Sequence, residues 1–415
     1  MSERPYDIVL YGASGFVGKQ TVQYFASYAS SHPMKWAIAG RNRQKLAAVL
    51  DEVGATVDVL VADSKDQLAI NAIVAQARVI LTTAGPFALY GDALVDACVR
   101  FKTHYVDITG ETPWIKTLID RYHAQATLDG TRIIPSCGFD SVPSDLGTYW
   151  LVSHLQQAFN LPCQQVNAYF QAIGGFNGGT LASAFNLYDS PEAALEDDPF
   201  LLNPSQNRRQ STSSYTEAEA ASQRNRDPQT PSFDTELHTW VAPFFMGPIN
   251  TRIVRRSAAL YDQWQASYGP DFTYQEYLKF DEPMAWLKAT GVTVGLALFT
   301  AVLRQPQMRS LLQPILPQPG SGPSEQTMNE GSFSCELVAT AVDGRKVNGI
   351  ICDQGDPGNR ATVKFVCESA LALAFQRDDL PGGQARGGIL TPATGLGHVL
   401  IERLRRAGMT WKMSP

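Results

Sequence analysis

Tyr6-Asp-Ile-Val-Leu-Tyr11 runs directly into Gly12-Ala-Ser-Gly-Phe-Val-Gly18, and Thr21, Val22, Tyr24 and Phe25 continue it with helix-compatible apolar residues. An apolar strand, a glycine turn and a helix in that order form a phosphate site. Gly12 permits the tight turn, Gly15 lets the backbone approach a pyrophosphate, and Gly18 lets helix pack closely on strand. The free N–H groups and positive dipole end of the helix then face the phosphates, with Ser14, Phe16 and Val17 completing the loop. The spacing is G-x-x-G-x-x-G, a variant of the commoner G-x-G-x-x-G.

The next strand bears on which dinucleotide is held. Met34-Lys-Trp-Ala-Ile-Ala39 ends in Gly40-Arg41-Asn42-Arg43, a turn that belongs beside the adenosine ribose. An acid here would accept from a 2′-hydroxyl, whereas arginine suits a 2′-phosphate. The nearest acids, Asp51 and Glu52, fall in the following helix. Arg41, supported by Arg43 or Lys45, therefore points to NADP(H).

Strand and helix then alternate through the first third. Helices are expected at about 44–52, 66–76, 92–101 and 114–126, and strands at about 56–61, 78–83, 105–108 and 132–135. This alternation predicts a doubly wound parallel sheet covered on both faces. Ligands in such sheets sit beyond the carboxyl ends of the strands. The turns to inspect are Asp63-Ser64, Thr83-Ala-Gly-Pro-Phe87, Asp107–Glu111 and Ser136–Asp140. Thr83, Gly85 and Pro86 are assigned to the nicotinamide half, and Asp63 to the cofactor-binding turns.

Composition excludes several classes. A net charge of −6 over 415 residues, without a basic run, argues against nucleic acid. Six scattered cysteines and six histidines form no metal-ligand pair, so no metal site is expected and a reducing, cytoplasmic setting is. Met-Ser-Glu-Arg-Pro leads into the first strand too early for a signal peptide. No tyrosine has lysine four residues on, and no G-x-S-x-G elbow, Walker lysine loop or His-Glu-x-x-His motif occurs.

Candidate catalytic groups carry two readings each. Asp140 and Ser141, with Asp145, either touch nicotinamide or a substrate oxygen or cap the helix that Pro143 begins. Tyr90 either donates a proton as a phenol or packs over the cofactor. Asp107 and Glu111 either contact ribose or substrate or cap the helix near Pro113.

The glycine loop, Ala39-Gly-Arg41, Ala84-Gly-Pro-Phe87 with Tyr90-Gly91, His104-Tyr-Val-Asp-Ile-Thr-Gly-Glu111 and Pro135-Ser-Cys-Gly-Phe-Asp-Ser-Val-Pro-Ser-Asp-Leu-Gly147 together resemble the saccharopine-dehydrogenase-like oxidoreductases. The resemblance is closest to the trans-acting enoyl reductase subgroup, clear over residues 5–150 and weaker beyond. It implies a Rossmann domain at 1–148 and an interposed α+β substrate and dimerisation domain at 149–352. A final segment at 353–415 is expected to pack back on the first domain. It also implies NADP-linked reduction of a C=C (enoyl) or C=O bond in a small hydrophobic or lipid substrate, with homodimer formation and peripheral membrane or lipid contact as partner expectations. A saccharopine-type amino-acid dehydrogenase and a non-catalytic NADP-binding, lipid-associated protein are the alternatives.

Beyond Leu151, a strand is expected at 166–173, a glycine turn at 174–179 and a helix from Thr180. A long polar loop is expected at about 192–235, a strand at 235–242, an apolar turn at 243–249 and a helix at 252–260. Ala289–Leu303 is fifteen uncharged residues between Lys288 and Arg304, short of the roughly 20 that span a bilayer. It reads as a buried helix, a helix lining a long-chain pocket, or one resting on a membrane. The Pro/Gly/Ser-rich Gln313–Gly322 ends it. A hairpin at 331–352, a strand at 361–366 and helices at 367–375 and 398–405 close the chain.

Overall fold

Buried apolar residues on both faces make β1 (Tyr6–Tyr11), β2 (Trp36–Gly40) and β4 (Ala77–Thr82) central strands, with Leu10 in register with Ile38 on one side and Leu81 on the other. With β3 (Asp58–Val61), β5 (His104–Asp107), β6 (Arg132–Ile134) and β13 (Gly388–Ile389) they form a parallel sheet of order β13-β6-β5-β4-β1-β2-β3. The order reverses between β1 and β4, which puts the switch point at the Gly12–Gly18 loop. The computed structural model describes residues 4–414 apart from 176, 190, 205–214, 306, 310–317 and 319.

The sheet is flanked by α1 (Phe16–Ala29), α2 (Arg43–Val53), α3 (Gln67–Val74), α4 (Phe87–Tyr90), α5 (Asp92–Phe101), α6 (Thr112–Leu128) and α7 (Val142–Phe159). Asn42 caps α2 by accepting from Lys45 N, and Asp66 caps α3 by accepting from Leu68 N and Ala69 N. Pro113 and Pro143 stand in the first turns of α6 and α7, where a missing N–H costs nothing.

A second sheet has the order β14-β12-β11-β7-β10-β9-β8. Its strands are β7 (Cys163–Ile173), β8 (Ser232–Asp234), β9 (Thr239–Pro243), β10 (Thr273–Phe280), β11 (Ser332–Ala341), β12 (Lys346–Gln354) and β14 (Thr410–Ser414). Pairing is antiparallel except between β7 and β10. The remaining helices are α8 (Gly178–Asp189), α9 (Tyr215–Arg224), α10 (Gly247–Gln263), α11 (Ala285–Leu303), α12 (Glu325–Glu330), α13 (Thr362–Phe375), α14 (Pro392–Gly395) and α15 (Gly397–Arg406). α7 joins the sheets: it follows β6 of the first and packs on β11 and β12 of the second.

Several expectations change. The stretch read as a polar loop at 192–235 contains a 3-10 turn at Pro191–Asp197, α9 and β8, while 205–214 lie outside the described residues. Asp234 turns β8 into β9 by accepting from Glu236 N and Leu237 N, so the strand expected at 235–242 begins at Thr239. α10 starts at Gly247 and absorbs the end of the apolar turn. Ala361–Val366, β-branched and read as a strand, is instead the end of a π-helical turn (Pro357–Ala361) and the start of α13. Burial there favours helix, and Thr362 Oγ1 donates back to Pro357 O at 3.0 Å. β10, β13 and β14 were not anticipated. The segment after 353 serves both sheets, α13 and β13 packing in the first and β14 pairing with β12 in the second. Most of Gln313–Gly322 lies outside the described residues.

α11 lies along β9 and β10 and buries only Ala289 and Leu303. Trp286, Val294 and Leu298 are each more than half exposed, which removes the buried-helix alternative.

Candidate functional site

The glycine loop is shaped by close approach. Gly12 has φ +90°, and a methyl group there would stand 2.9 Å from Ala84 N in the turn after β4. A methyl group at Gly18 would stand 2.9 Å from Ala13 Cα and nearer still to the Gly12 carbonyl oxygen. That oxygen accepts from Gly15 N at 3.0 Å and Thr83 Oγ1 at 3.3 Å, tying the loop to the neighbouring turn. The first bond of α1 runs from Lys19 N to Gly15 O at 2.9 Å, so the N–H groups of Phe16, Val17 and Gly18 have no helical partner. Ser14 is exposed, Gly12 and Gly15 half-buried, and Val17 buried, so the N–H cradle stays open to a pyrophosphate.

In the turn after β2, Arg41 and Arg43 are exposed, and among the described residues neither is in an ion pair. Two free guanidinium forks and no acid at the tip of β2 fit a 2′-phosphate. Asp63 is exposed at the end of β3, where it accepts from Lys65 N. Tyr11 beneath it donates to Ala62 O, and burial pushes its phenol up to about 12.

The Thr83–Phe87 turn carries a cis Gly85–Pro86 bond and leads into α4. Glu111 holds it in place, accepting from Phe87 N at 2.7 Å and Ala88 N at 2.9 Å. Glu111 also accepts from Ser183 Oγ at 2.8 Å, so a second-domain helix is tied to the same turn. Burial raises the Glu111 pKa against these bonds. Asp107 is likewise internal, accepting from Thr109 N, Ser136 N and the Tyr105 hydroxyl, with burial raising it to about 7. Asp145 accepts from Ser257 Oγ and Ala393 N and is raised by burial to about 7. Glu276 is a fourth such carboxyl, held by Ser144, Tyr274 and Asn250 and raised to about 7 by burial. All four bind the fold together.

Asp140 differs. It stands in the turn between β6 and α7 and keeps some accessible surface, yet no hydrogen-bond or ionic partner reaches its carboxyl among the described residues. Close packing alone raises it to about 7. Ser141 begins α7, but its hydroxyl makes no cap; it donates to Asn250 Oδ1 at 3.2 Å and is fully buried. Tyr90 ends α4, half-buried, beside the Gly85–Pro86 turn.

Sequence reading missed the second-domain contributors. Ser183 bonds Glu111, which holds the Gly85–Pro86 turn, and Asn250 links Ser141 to Glu276. Asn177 donates to Asn359 at 2.9 Å, and Asn359 to Asp356 at 2.6 Å, which locks the 174–178 turn onto the π-helical turn. The glycine run 174–179 was the one signal. The partner of Asn177 lies 182 residues away, beyond any local pattern. Among the described residues no group of three His, Cys, Asp or Glu is placed to hold a metal.

A glycine loop at the switch point of a parallel sheet, followed by a turn after β2 that carries two arginines and no acid, is the arrangement by which doubly wound folds bind a dinucleotide. Residues 8–134 match the model of the saccharopine dehydrogenase NADP-binding domain. A Mycobacterium tuberculosis protein that carries the name trans-acting enoyl reductase provisionally is 36% identical over 98% of this chain and 97% of its own. A Mycobacterium ulcerans protein named trans-acting enoyl reductase is 34% identical over the same shares. The apo structure of saccharopine dehydrogenase (L-Glu forming) from Saccharomyces cerevisiae shares the fold, with TM-score 0.52 at 14% identity over 98% of this chain and 99% of that one. The chain belongs to the saccharopine-dehydrogenase-like family of NADP-dependent oxidoreductases. The loop's geometry agrees: close backbone contacts at Gly12 and Gly18 leave no room for a side chain, and the N–H groups of Phe16, Val17 and Gly18 have no partner within the helix.

Proposed function

We propose that this enzyme reduces a conjugated C=C bond in a hydrophobic acyl substrate, using NADPH. The observation that carries this reading is the reach of the likeness: 34–36% identity to proteins named trans-acting enoyl reductases runs through the second domain, where a substrate is chosen. The apolar character of that domain agrees. α8 offers half-buried Leu181, Phe185 and Leu187 next to Ser183, and α11 carries exposed apolar side chains around most of its circumference.

NADPH, when bound, supplies the hydride to the β-carbon. The chain has to orient the acyl group, exclude water and return a proton to the α-carbon. Asp140 is the proposed proton donor, since a carboxyl near pKa 7 with no internal partner is half protonated at neutral pH and free to give that proton away. Ser141, committed to Asn250, positions the start of α7. Tyr90 walls the nicotinamide side of the crevice. A lipid-bearing substrate would arrive from the apolar face of α11.

The test is NADPH consumption by the purified chain with a trans-2-enoyl thioester, the saturated product identified by mass spectrometry. Turnover of the enoyl thioester, and none of saccharopine, is expected. Turnover of saccharopine alone would overturn the proposal in favour of an amino-acid dehydrogenase.

A further inference from the structure

The segment Gly320–Ser324, which leads into α12, lies against the first residue of α1, beside the glycine loop. A methyl group placed on Gly322 would stand 2.5 Å from Cζ of the Phe16 ring. Phe16 is the first residue of α1, directly after the N-cap Gly15. The segment is anchored on its other side as well. Gly178 N donates to Ser321 O at 3.0 Å, a methyl group on Gly175 would stand 3.0 Å from Pro323 Cβ, and Ser324 caps α12 by accepting from Thr327 N at 3.1 Å.

We propose that Gly320–Ser324 is a strap by which the second domain holds the cofactor-binding end of α1 in its binding position. Three observations join to carry this. The strap covers the ring of Phe16 and leaves Gly12, Ser14 and Gly15 accessible, so the N–H cradle is open with the strap in place. The same face of α1 is docked further along its length, where Arg360 donates to Gln20 Oε1 at 3.1 Å and Tyr24 donates to Glu368 Oε1 at 2.6 Å. A pocket of about 430 Å³ opens on the same side of α1, one turn beyond the strap's contact with Phe16, and is lined by Gln20, Tyr24, Asn329 and Arg360 among others.

The strap also reaches the other end of the crevice. It bonds the 174–178 turn, whose helix α8 carries Ser183 to Glu111 and hence to the Gly85–Pro86 turn. Strap, turn and α8 are one unit that touches the pyrophosphate loop at one end and the nicotinamide turn at the other. Fixing the loop in its binding shape lowers the ordering cost of binding, and cofactor binding in turn holds the strap. This inference rests on the NADP(H) assignment and is independent of the substrate.

The experiment is calorimetric titration of the full-length chain with NADPH, paired with hydrogen exchange of the peptide spanning 320–324. Gly322→Val drives a branched side chain into the Phe16 ring, and Pro323→Gly loosens the contact with Gly175. Unliganded thermal midpoints show whether each variant is folded. The NADPH dissociation constant should rise roughly tenfold or more in Gly322→Val and about threefold in Pro323→Gly, and saturating NADPH should slow exchange across 320–324 in the parent chain. Affinities within about twofold of the parent in the folded variants, or exchange in the strap unaffected by NADPH, would overturn the proposal. Should Gly322→Val not fold, Pro323→Gly and the exchange measurement decide it.

Discussion

Replacing Asp140 by asparagine separates catalysis from stability in opposite directions. The carboxyl ionises near 3.8 in the unfolded chain and at about 7 in the fold, because burial penalises its charge. Below pH 3.8 both states hold the proton and the group has no effect on stability. Between pH 3.8 and 7 the folded chain retains a proton that the unfolded chain has lost, so stability falls by up to ~1.4 kcal/mol per pH unit. Above about pH 7 the cost is constant. The full shift would amount to ~4 kcal/mol, and the residual solvent access of Asp140 brings the expected value to roughly 1–3 kcal/mol. The uncharged amide of the Asp140→Asn variant carries no such cost.

Asp140→Asn should therefore gain stability relative to the parent between about pH 4 and pH 8, read as the change with pH in the difference between their denaturant midpoints. Taking the difference cancels Asp107, Asp145 and Glu276, which titrate in the same range in both proteins. Activity should move the other way. A proton donor near pKa 7 is about half protonated at pH 7 and about one-tenth at pH 8, so kcat in the parent falls with pH above 7. The same variant should lose roughly 10²- to 10⁴-fold in kcat, with the alkaline limb of the pH profile removed. A variant that kept more than about a tenth of parental kcat, or kept that limb, would refute the assignment of Asp140 as donor. A stability difference independent of pH would refute the burial argument beneath it.

Arg41→Ala should weaken NADPH binding by about 1–3 kcal/mol and leave NADH binding nearly unchanged, measured by calorimetry; equal losses would remove Arg41 from the 2′-phosphate. Gly18→Ala should abolish binding of both cofactors, since the added methyl meets Ala13 and the Gly12 carbonyl, and retained affinity would mean that the loop has room the structure denies. Tyr90→Phe should reduce kcat by less than about threefold, and a loss comparable to that of Asp140→Asn would make the phenol the donor.

Six strands of the first sheet are legible in the sequence because they are short apolar runs separated by helices, so period and punctuation agree, whereas the seventh, Gly388–Ile389, lies in a stretch that reads as a glycine loop. Tyr6–Tyr11 falls where the residues say it should. The second sheet is less legible because its strands carry mixed faces. Thr273–Phe280 reads Thr-Tyr-Gln-Glu-Tyr-Leu-Lys-Phe, and Glu276 is buried only because Ser144, Tyr274 and Asn250 converge on it. Nothing local announces that convergence. Ala361–Val366 fails for the reverse reason: its β-branched residues suit a strand, yet packing between the sheets selects a π-helical turn and a helix. α11 is the third kind of failure. An uncharged run marks a helix but not what covers it, and the structure leaves it largely uncovered.

The acids show where sequence reasoning stops and geometry must take over. Asp107, Glu111, Asp140 and Asp145 all stand in or just beyond turns that follow parallel strands, the position that favours chemistry in this architecture. From sequence they are equivalent, each open to a catalytic or a capping reading. What separates them is partners. Asp107 is saturated by two backbone N–H groups and a phenol, Glu111 by two N–H groups and Ser183, and Asp145 by a hydroxyl and an N–H 248 residues away. A carboxylate so bound is expensive to protonate and reprotonate in a catalytic cycle, because each change of charge must rearrange the bonds that hold it. Asp140 has no such bonds to rearrange. Its pKa is set by desolvation alone, so a substrate or water brought beside it, as the proposed donor role requires, would change that desolvation directly. The unpartnered acid is therefore the one whose proton affinity would respond to a molecule bound beside it, while the three partnered acids are committed to holding their own turns in place.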